Sequence, residues 1–428
     1  MKTPSIPQTR TVEITERLPV STGHEVIVAG GGVAGAAAAL AAARAGKRVL
    51  LIEKATLLGG LSTIGLVNWF VPMCNGRGRK IMSGMVDEFV RLATRDSYDT
   101  IPEGWWDGGA TGNPEVRYTT LFSPQIFAYT LAEYLSSAGV ELMFDTIVTR
   151  PLMNGKHCDG LIVENKSGRS ILTAEIFIDT TGDADILRRS GMPVVIGRNY
   201  FTYTGMEITL ESCRRAVEHG DIRFVYQVLA GGEATLYGDH HPENLKKFNA
   251  TDAADVTEYL LLGQKRMLEK LRTTDRHTRD ICTPATMMQS RTSCRIDGDY
   301  TLQEQDHYRH FPDSVGAICD FDRRDYLYEV PYRTLVRSGY DNLITAGRCA
   351  SGNGYAWDVL RVIPPAILTG QAAGSAAALA IDQHSPLPEL KVADLQTVLQ
   401  ENRVSLHFDD SLIPRDGGGG SNEGGEPI

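Results

Sequence analysis

The sequence has no long hydrophobic segment of the kind that crosses a membrane. Its 428 residues contain no run of about 18 uncharged apolar residues. The longest apolar stretch, residues 27–43, is rich in glycine and alanine and leads directly into Arg44. Residues 1–20 carry charges of both signs and no apolar core, so no secretory signal is predicted. We therefore expect no membrane span and a cytoplasmic location.

Positive charge is also scarce. Lysine and arginine together number 43 against 53 aspartates and glutamates, which gives a formal net charge of −10. Proteins that bind nucleic acids or anionic membranes depend on basic surface, and this chain has no basic run. Neither nucleic acid nor a membrane surface is therefore expected as a partner.

The cysteines are too scattered to predict a shared site. There is no CxxC pair and no Cys/His spacing of the zinc-binding type. The odd number and the wide spacing favour reduced thiols over a disulfide framework, and no metal site is predicted. The seven positions are Cys74, Cys158, Cys213, Cys282, Cys294, Cys319 and Cys349.

A glycine-rich turn is the strongest motif in the chain. Residues 26–29 are apolar, the sequence GGGVAG occupies residues 30–35, and an alanine-rich segment then extends to Arg44. In this GxGxxG pattern Gly30 permits a tight turn, Gly32 lets a pyrophosphate approach the backbone, and Gly35 lets the helix pack closely on the strand. Strand, turn, helix and strand form a βαβ unit, whose strands read as buried on both faces of a parallel sheet.

An acidic residue follows the second strand in the expected place. Residues 49–52 are apolar and end at Glu53, whose carboxylate is positioned to accept hydrogen bonds from ribose hydroxyls. The start of the helix supplies amide donors and the positive end of its dipole for a pyrophosphate. Together the two features predict a bound adenine dinucleotide.

Three further segments indicate which dinucleotide binds. A Gly-Gly pair lies in residues 58–63, a buried strand ending in Thr-Gly-Asp lies at residues 177–183, and a third strand ending in glycine lies at residues 342–348. In this order, behind one N-terminal fingerprint, they resemble the flavoproteins with two dinucleotide-binding domains. The resemblance favours FAD over NAD.

The resemblance narrows to one family. The segments QSRTSCRIDGDY at 289–300, EVPYR at 329–333, AGRCAS at 346–351 and GQAAG at 370–374 fit the same pattern. The chain resembles, over residues 24–382, the FAD-dependent oxidoreductase family distantly related to the fumarate reductase and succinate dehydrogenase flavoproteins. The His-Pro-Thr substrate motif is missing, so fumarate or succinate activity does not carry over. Leu58 and Gly59 stand where some relatives carry a flavin-linked histidine, so FAD is expected to be non-covalent.

The family resemblance implies that residues from the far end of the chain join the N-terminal turn around the cofactor. Residues 370–374 have a second interpretation, as small residues for tight helix–sheet packing, and both interpretations stay open. The expected cofactor-binding residues are Gly30, Gly32, Val33, Ala34, Gly35, Glu53, Lys54, Gly60, Leu61, Ser62, Val148, Thr181, Gly182, Asp183, Gly347, Arg348, Gly370 and Ala373.

Three arginines are candidates for binding the substrate. Arg291 and Arg295 lie four residues apart, and Arg361 lies in an expected loop between the last sheet strand and the final helix. A guanidinium can bind a carboxylate through two hydrogen bonds and polarise a carbonyl next to a double bond that exchanges a hydride with flavin N5. The alternative for each is a structural ion pair, for example Arg295 with Asp297.

Other polar residues near Arg361 are candidates for chemistry. The segment of Arg361 also contains Tyr355, Trp357 and Asp358. All three are positioned to flank the flavin ring, and Tyr355 and Asp358 are also positioned to transfer protons. The scattered histidines stand in no motif and are predicted to be surface or ordinary polar residues; they include His240, His241, His307 and His310.

Several local elements are predicted directly. A helix is expected at residues 85–94, and Ser123-Pro124 starts another that ends near Gly139. Asn154-Gly155 predicts a hairpin turn, followed by a small antiparallel meander whose last run is residues 171–178. A buried strand is expected at residues 342–346, and a small-residue helix at residues 372–380.

The expected fold is α/β: a Rossmann-type FAD-binding domain with a central parallel sheet and a small antiparallel meander, plus an inserted α+β substrate domain. The FAD-binding domain takes residues 23–195 and 335–385, and the substrate or cap domain takes residues 196–334. Residues 1–22 are an irregular lead-in. Residues 386–428 form a C-terminal extension whose glycine-rich end is predicted to be disordered.

The predicted reaction is hydride transfer between a small polar organic substrate and flavin N5, with dioxygen, a quinone or a protein as the second redox partner; a carboxylate-bearing substrate is one option. A disulfide reductase is disfavoured because a second GxGxxG and a CxxxxC are missing. An FAD monooxygenase and an electron-relay subunit of a larger complex stay open, as does a homo-oligomer. An RNA-modifying flavoprotein is disfavoured by the net charge.

Overall fold

The computed structural model describes residues 11–101, 104–105 and 117–415. The predicted disorder of the glycine-rich end falls on residues 416–428, outside the described residues. The helices of the described part are α1 (Val33–Arg44), α2 (Met85–Thr94), α3 (Pro124–Ser137), α4 (Asp185–Arg189), α5 (Leu210–His219), α6 (Ala253–Leu271), α7 (Tyr355–Arg361), α8 (Ile363–Gln383) and α9 (Val392–Glu401).

The strands are named in the same way along the chain. They are β1 (Val20–Ser21), β2 (Val26–Ala29), β3 (Val49–Ile52), β4 (Trp69–Phe70), β5 (Thr120–Leu121), β6 (Glu141–Met143), β7 (Ile147–Asn154), β8 (His157–Asn165), β9 (Gly168–Leu172), β10 (Ile176–Asp179), β11 (Val194–Ile196), β12 (Thr202–Thr209), β13 (Gln227–Glu233), β14 (Arg279–Thr283), β15 (Cys294–Ile296), β16 (Ser314–Cys319), β17 (Leu327–Pro331) and β18 (Leu343–Thr345).

A five-stranded parallel sheet forms the centre of the fold. Its strand order is β18-β10-β2-β3-β6, and every neighbouring pair is parallel. In register, Val28 of β2 lies between Leu51 of β3 and Ile178 of β10. Strands β2, β3, β10 and β18 are buried along their whole length, because a parallel sheet is covered on both faces. The predicted α/β fold with a Rossmann-type sheet is confirmed.

Two small-residue helices, α1 and α8, pack against each other through their backbones. A Cβ added at Gly370 would lie 2.2 Å from the carbonyl oxygen of Ala34, and one at Gly374 would lie 2.1 Å from that of Ala38. Any side chain at either position would push the helices apart. The GQAAG segment therefore packs helix against helix at these two glycines, and because α8 also contacts β10 and β18 of the central sheet, the packing interpretation stays open.

The meander differs from its prediction in two places. Strands β7, β8 and β9 form the expected antiparallel sheet, but β1 adds a parallel fourth strand from the supposedly irregular lead-in. The run predicted at residues 171–178 divides between β9 in the meander and β10 in the central sheet. The apolar pattern alone does not show where one strand ends and the next begins, since both ends of the run are buried.

Residues 196–334 contain a second set of elements. Strand β12 pairs antiparallel with β13 and β14, and Phe201, Tyr203 and Tyr259 are buried in a hydrophobic cluster between this sheet and α6. The hairpin of β16 and β17 instead packs in the large cluster that contains α1 and α8. The domain boundaries given above therefore stay a proposal.

Other local predictions can be checked directly. Helices α2 and α3 lie where they were predicted, and the Ser123 side chain accepts a hydrogen bond from the Ile126 amide at 3.5 Å. The seven cysteines, all in the described part, form no disulfide. Within the described residues no single helix has both the length and the apolar composition to span a membrane; α7 and α8 meet that test only as a pair bent by 73°.

Candidate functional site

Two of the three glycines of the GxGxxG turn leave no room for a side chain. Gly30 has a φ of +103°, and a Cβ there would lie 2.4 Å from the carbonyl oxygen of Thr180. A Cβ at Gly35 would lie 1.9 Å from the carbonyl oxygen of Gly30. At Gly32, by contrast, an added Cβ would meet no atom of the described residues within 4 Å. The turn therefore packs tightly against neighbouring backbone at Gly30 and Gly35 and leaves space at Gly32.

The start of α1 faces this open side. Gly32 is the N-cap residue of α1, and no side chain caps the helix. The first amides of a helix need partners from outside it, and the helix dipole favours an anion there. An open approach at Gly32 with uncapped amides beside it fits a pyrophosphate.

Glu53 lies at the end of β3 next to the turn. Its Oε2 accepts a hydrogen bond from the Gly31 amide at 2.6 Å, and its Oε1 accepts one from the Ala55 amide at 2.7 Å. The side chain is almost completely buried. Each carboxylate oxygen has a second acceptor site, so these contacts orient the carboxylate and leave capacity for a ribose. Lys54, the next residue, is exposed.

The Gly-Gly segment returns to the same turn. The Gly59 amide donates to the Gly31 carbonyl at 2.7 Å, and a Cβ at Gly60 would lie 3.2 Å from the Cα of Gly32. Leu61 and Ser62 follow in a short 3₁₀ turn, and the Ser62 hydroxyl donates to the Gly59 carbonyl. The structure therefore brings Gly60, Leu61 and Ser62 beside the GxGxxG turn, and their contact with the cofactor stays a prediction.

Arg348 joins two distant segments. Its Nε donates to the Gly182 carbonyl at 2.7 Å, its Nη2 lies 3.1 Å from Asp183 Oδ1, and its Nη1 donates to the Ser290 carbonyl at 2.8 Å. These bonds engage all three of its nitrogens, so Arg348 holds the Thr-Gly-Asp turn in place. Its own contact with the cofactor stays a prediction, as does that of Thr181, whose hydroxyl donates to Asp179.

Asp179 is a structural residue that was not singled out from the sequence. It is fully buried at the end of β10, and its Oδ2 accepts from the Ile186 and Leu187 amides at the start of α4. Burial raises the pKa of Asp179 to about 6, against the opposing effect of these hydrogen bonds. The carboxylate fixes the direction in which the chain leaves the sheet.

The far end of the chain also reaches α1. Gly347 has a φ of +67°, and a Cβ there would lie 2.8 Å from the Cβ of Ala34. Gly370 contacts the same residue from α8, and Ala373 is completely buried one turn later. Val148 lies elsewhere, in β7, where it packs in a cluster that includes Ile52. The structure therefore places Gly347 and Gly370 against the first turn of α1.

A second group of polar residues lies along α7. Arg361 is the last residue of this short helix and not part of a loop, which corrects the expectation from the sequence. Its Nε donates to Asp358 Oδ1 at 2.6 Å, and both side chains are 15% exposed. Tyr355, Asp358 and Arg361 follow one another at intervals of three residues along α7, so Asp358 neighbours each of the other two on the helix surface. We use the name α7 cleft for the region beside these three side chains.

Arg291 faces the same cleft. Its two terminal nitrogens donate to the carbonyls of Ala234 and Thr235, each at 3.0 Å. Burial and the neighbouring charge of Arg361 lower the pKa of Arg291 to about 10, while the charge of Asp358 opposes the shift. Asp358 is hydrogen-bonded to Arg361, whereas Arg291 binds backbone carbonyls, so two positive groups lie near one negative group.

Arg295 points elsewhere. Its Nη1 donates to the Ser351 hydroxyl at 3.1 Å and to the Ile296 carbonyl, and its guanidinium lies 5.6 Å from the Trp357 ring. The suggested partner Asp297 instead lies 3.7 Å from Arg337. Arg295 therefore packs behind α7, on the side of Trp357.

A buried carboxylate stands at the Tyr355 end of the cleft. The Tyr355 hydroxyl donates to Asp320 Oδ1 at 2.6 Å, while Asp320 Oδ2 has no partner among the described residues. Burial raises the pKa of Asp320, and it also raises the pKa of Tyr355. The Tyr237 ring lies parallel to that of Tyr355 at 6.5 Å, and the Arg323 guanidinium lies 4.1 Å from the Tyr355 ring.

Asp320 was missed from the sequence. The available signal was an acidic residue directly after the completely buried strand β16, a place where polar site residues often stand. Its importance depends on Tyr355, which lies far away in the chain and is joined to it only by folding.

Sequence comparison identifies the family. The model of the family described as FAD dependent oxidoreductase matches residues 25–281 and 239–399. The chain belongs to this family. It is therefore an oxidoreductase, and FAD is its cofactor. No curated protein has significant sequence similarity to it.

Three solved structures are similar to the chain at low sequence identity. A geranylgeranyl bacteriochlorophyll reductase-like protein from Thermoplasma acidophilum is 13% identical with a TM-score of 0.46, over 90% of this chain and 85% of that one. p-Nitrophenol 4-monooxygenase from Pseudomonas putida is 14% identical with a TM-score of 0.42, over 89% and 86%. A flavoprotein/dehydrogenase from Cytophaga hutchinsonii is 12% identical with a TM-score of 0.43, over 90% and 84%. Family membership follows from the sequence match alone.

Proposed function

We propose that this FAD-dependent oxidoreductase exchanges a hydride between flavin N5 and a small organic substrate that carries a carboxylate. The observation that supports the proposal is the largely buried Arg361 side chain, whose Nε binds Asp358 while its two terminal nitrogens make no hydrogen bond among the described residues. A distant relation to the fumarate reductase and succinate dehydrogenase flavoproteins is part of the proposal. Dioxygen, a quinone or a protein serves as the second redox partner.

The residues around α1 hold the cofactor without a covalent bond. The uncapped amides beside Gly32 bind the diphosphate, and Glu53 accepts hydrogen bonds from the ribose. The Thr-Gly-Asp turn, fixed by Arg348, and the glycines at 347 and 370 border the same space. These roles follow from the open approach at Gly32, which a side chain there would fill.

Arg361 binds the substrate carboxylate. Among the described residues its only hydrogen bond uses Nε, so both terminal nitrogens keep donors for a ligand. Two parallel hydrogen bonds from one guanidinium match the geometry of a carboxylate. Arg291 is anchored by two carbonyls and adds positive charge without moving.

Tyr355 and Asp320 transfer the proton that accompanies hydride transfer. The raised pKa of Asp320 lets its carboxyl hold a proton at a higher pH than an exposed aspartate does. The Tyr355 hydroxyl is hydrogen-bonded to Asp320, and Tyr355 begins the same short helix that Arg361 ends. A proton can therefore pass between the cleft and a buried carboxyl.

Anaerobic titration of the FAD-loaded protein tests the proposal. Carboxylates, amines and sugars are added in turn, and bleaching of the flavin absorbance is recorded. We expect bleaching by a carboxylate and none by its methyl ester. Bleaching by sugars or amines alone would contradict the proposal. Oxidation of NAD(P)H that is stimulated by a substrate and incorporates oxygen would instead indicate a monooxygenase.

A further inference from the structure

Two histidines and a glutamate meet at a point unrelated to the cofactor segments. His310 Nδ1 lies 2.5 Å and His407 Nδ1 lies 2.9 Å from the same oxygen, Oε1 of Glu329. The three ligand atoms lie within 4.8 Å of one another. We call these residues the His–Glu–His cluster. Glu329 lies in β17, His310 in the segment before β16 and His407 in the segment after α9. Because they are far apart in the sequence, no local spacing predicts the cluster.

The cluster joins a buried charge to an accessible surface. The Glu329 side chain is 0% exposed, whereas those of His310 and His407 are 42% and 46% exposed. A buried carboxylate is costly unless a positive partner lies against it. The half-exposed imidazoles are the only part of the cluster open to solvent, so an ion can enter from their side.

Further contacts orient the cluster. The outer nitrogen of His310, Nε2, lies 2.7 Å from Asp410 Oδ1, and Glu329 Oε2 accepts from the Phe311 amide at 2.7 Å. Metal-binding histidines commonly donate their other ring nitrogen to a carboxylate, and metal-binding carboxylates are commonly hydrogen-bonded in turn. The surroundings of the cluster follow this arrangement.

The contacts of a neutral His310 require a cation between its Nδ1 and the Glu329 carboxylate. If Nε2 donates to Asp410, a neutral His310 turns the lone pair of Nδ1 toward the Glu329 carboxylate. Two acceptors at 2.5 Å repel each other unless a cation lies between them. That cation is either a second proton on His310 or a metal ion.

We propose that the His–Glu–His cluster binds a divalent transition-metal ion such as Zn²⁺ through two imidazole nitrogens and one carboxylate oxygen. This site is independent of the proposed function, and it revises the expectation from the sequence that no metal site exists. Ligands about 2.0 Å from a tetrahedral ion are about 3.3 Å apart. The imidazoles must therefore open by less than about 1 Å, which their exposure allows.

The bound ion stabilises the C-terminal segment. Residues 404–408 already lie along β16, where the Ser314 hydroxyl donates to the Leu406 carbonyl at 2.6 Å and the Ala317 amide donates to the Ser405 carbonyl at 2.7 Å. A metal bound by His407 and Glu329 adds a third link between this segment and the hairpin of β16 and β17. The ion is thus expected to raise the stability of the protein and not to enter its redox reaction.

Zn²⁺ binding to the full-length, FAD-loaded protein tests the proposal. The protein is treated with EDTA, dialysed and titrated with Zn²⁺ in a calorimeter, together with the variants His407→Gln and His310→Gln. The matched control is His277→Gln, at an exposed histidine outside the cluster. We expect one Zn²⁺ per chain, binding at least about tenfold weaker in both cluster variants, and unchanged binding in the control.

Thermal unfolding supplies a second readout. Zn²⁺ should raise the melting temperature of the unchanged protein and of the control, and leave that of the two cluster variants unmoved. No stoichiometric binding, or equal binding by the cluster variants, would overturn the proposal. The positive partner of Glu329 would then be a protonated histidine.

Discussion

At the glycines around α1, backbone atoms lie directly against one another, whereas polar side chains of α7 bind carboxylates and guanidinium groups. Around α1, the contacts of Gly30, Gly35 and Gly370 leave no room for a Cβ. Around α7, Tyr355, Asp358 and Arg361 make hydrogen bonds to carboxylates or guanidinium groups. The region around α1 determines the path of the backbone beside the cofactor segments, and the region around α7 determines where charged side chains lie.

This difference predicts different responses to mutation. A substitution beside α1 changes folding or cofactor binding, because it displaces backbone. A substitution beside α7 changes catalysis and leaves FAD bound, because the half-buried side chains there can be replaced without moving the sheet.

Gly35→Ala should have the largest effect. Its Cβ would lie 1.9 Å from the Gly30 carbonyl oxygen, so β2 and α1 must separate. We expect the free energy of unfolding to fall by more than about 3 kcal/mol, and flavin to be lost. Chemical denaturation and the flavin absorbance of the purified protein measure both.

Gly32→Ala is the matched control for that variant. Its Cβ meets nothing within 4 Å in the part of the chain that the structure describes, so folding should be unchanged while FAD binds more weakly. Equal loss of stability in both variants would contradict the distinction between the closed and the open side of the turn.

Arg361→Gln should have the next largest effect, on catalysis. Two hydrogen bonds to a carboxylate, each contributing about 1.5–3 kcal/mol, are lost. We expect kcat/KM to fall by at least about 100-fold with the FAD content unchanged. The exposed Arg214 on α5 provides the control Arg214→Gln, which should keep full activity. An Arg361 variant with unchanged turnover would remove this residue from the proposed site.

Tyr355→Phe should have a smaller effect that depends on pH. Burial raises the pKa of Asp320, and the Tyr355 hydroxyl opposes this by hydrogen bonding to the carboxylate. Removing the hydroxyl raises that pKa further, so the limb of the kcat profile that Asp320 controls should move to higher pH. The loss of one hydrogen bond predicts a fall of about tenfold in kcat.

Tyr237→Phe is the matched control for Tyr355→Phe, because it removes a hydroxyl from the ring that lies beside Tyr355. The Tyr237 hydroxyl donates to Asp322 and not to Asp320, so this variant should keep the pH profile of the unchanged protein. A shift of the same size in both variants would indicate a general change in the cleft.

Arg295→Met should have the smallest effect on turnover. The Arg295 side chain lies against Trp357 and Ser351, away from the pair formed by Arg291 and Arg361. We expect kcat/KM to stay within about threefold, which is less than about 0.7 kcal/mol. A loss as large as that of Arg361→Gln would return Arg295 to the group of catalytic candidates.

The contrast between the regions around α1 and α7 also explains which features of the fold and the site could be predicted from the sequence. The bounds of β2, α1 and β3 follow from short buried runs and a glycine turn, all within residues 26–53. Helix α7 was taken for a loop because its seven residues are too few to show a clear periodicity. The bond between Asp320 and Tyr355, and the Ala234 and Thr235 carbonyls that orient Arg291, join distant parts of the chain. No local pattern records such contacts.

A crystal structure of the protein with FAD and a carboxylate ligand tests the central claim most directly. The account predicts that the diphosphate contacts the amides beside Gly32, while the isoalloxazine borders the α7 cleft and the ligand carboxylate contacts Arg361. A flavin ring outside the cleft, or a ligand carboxylate bound to other residues, would contradict it.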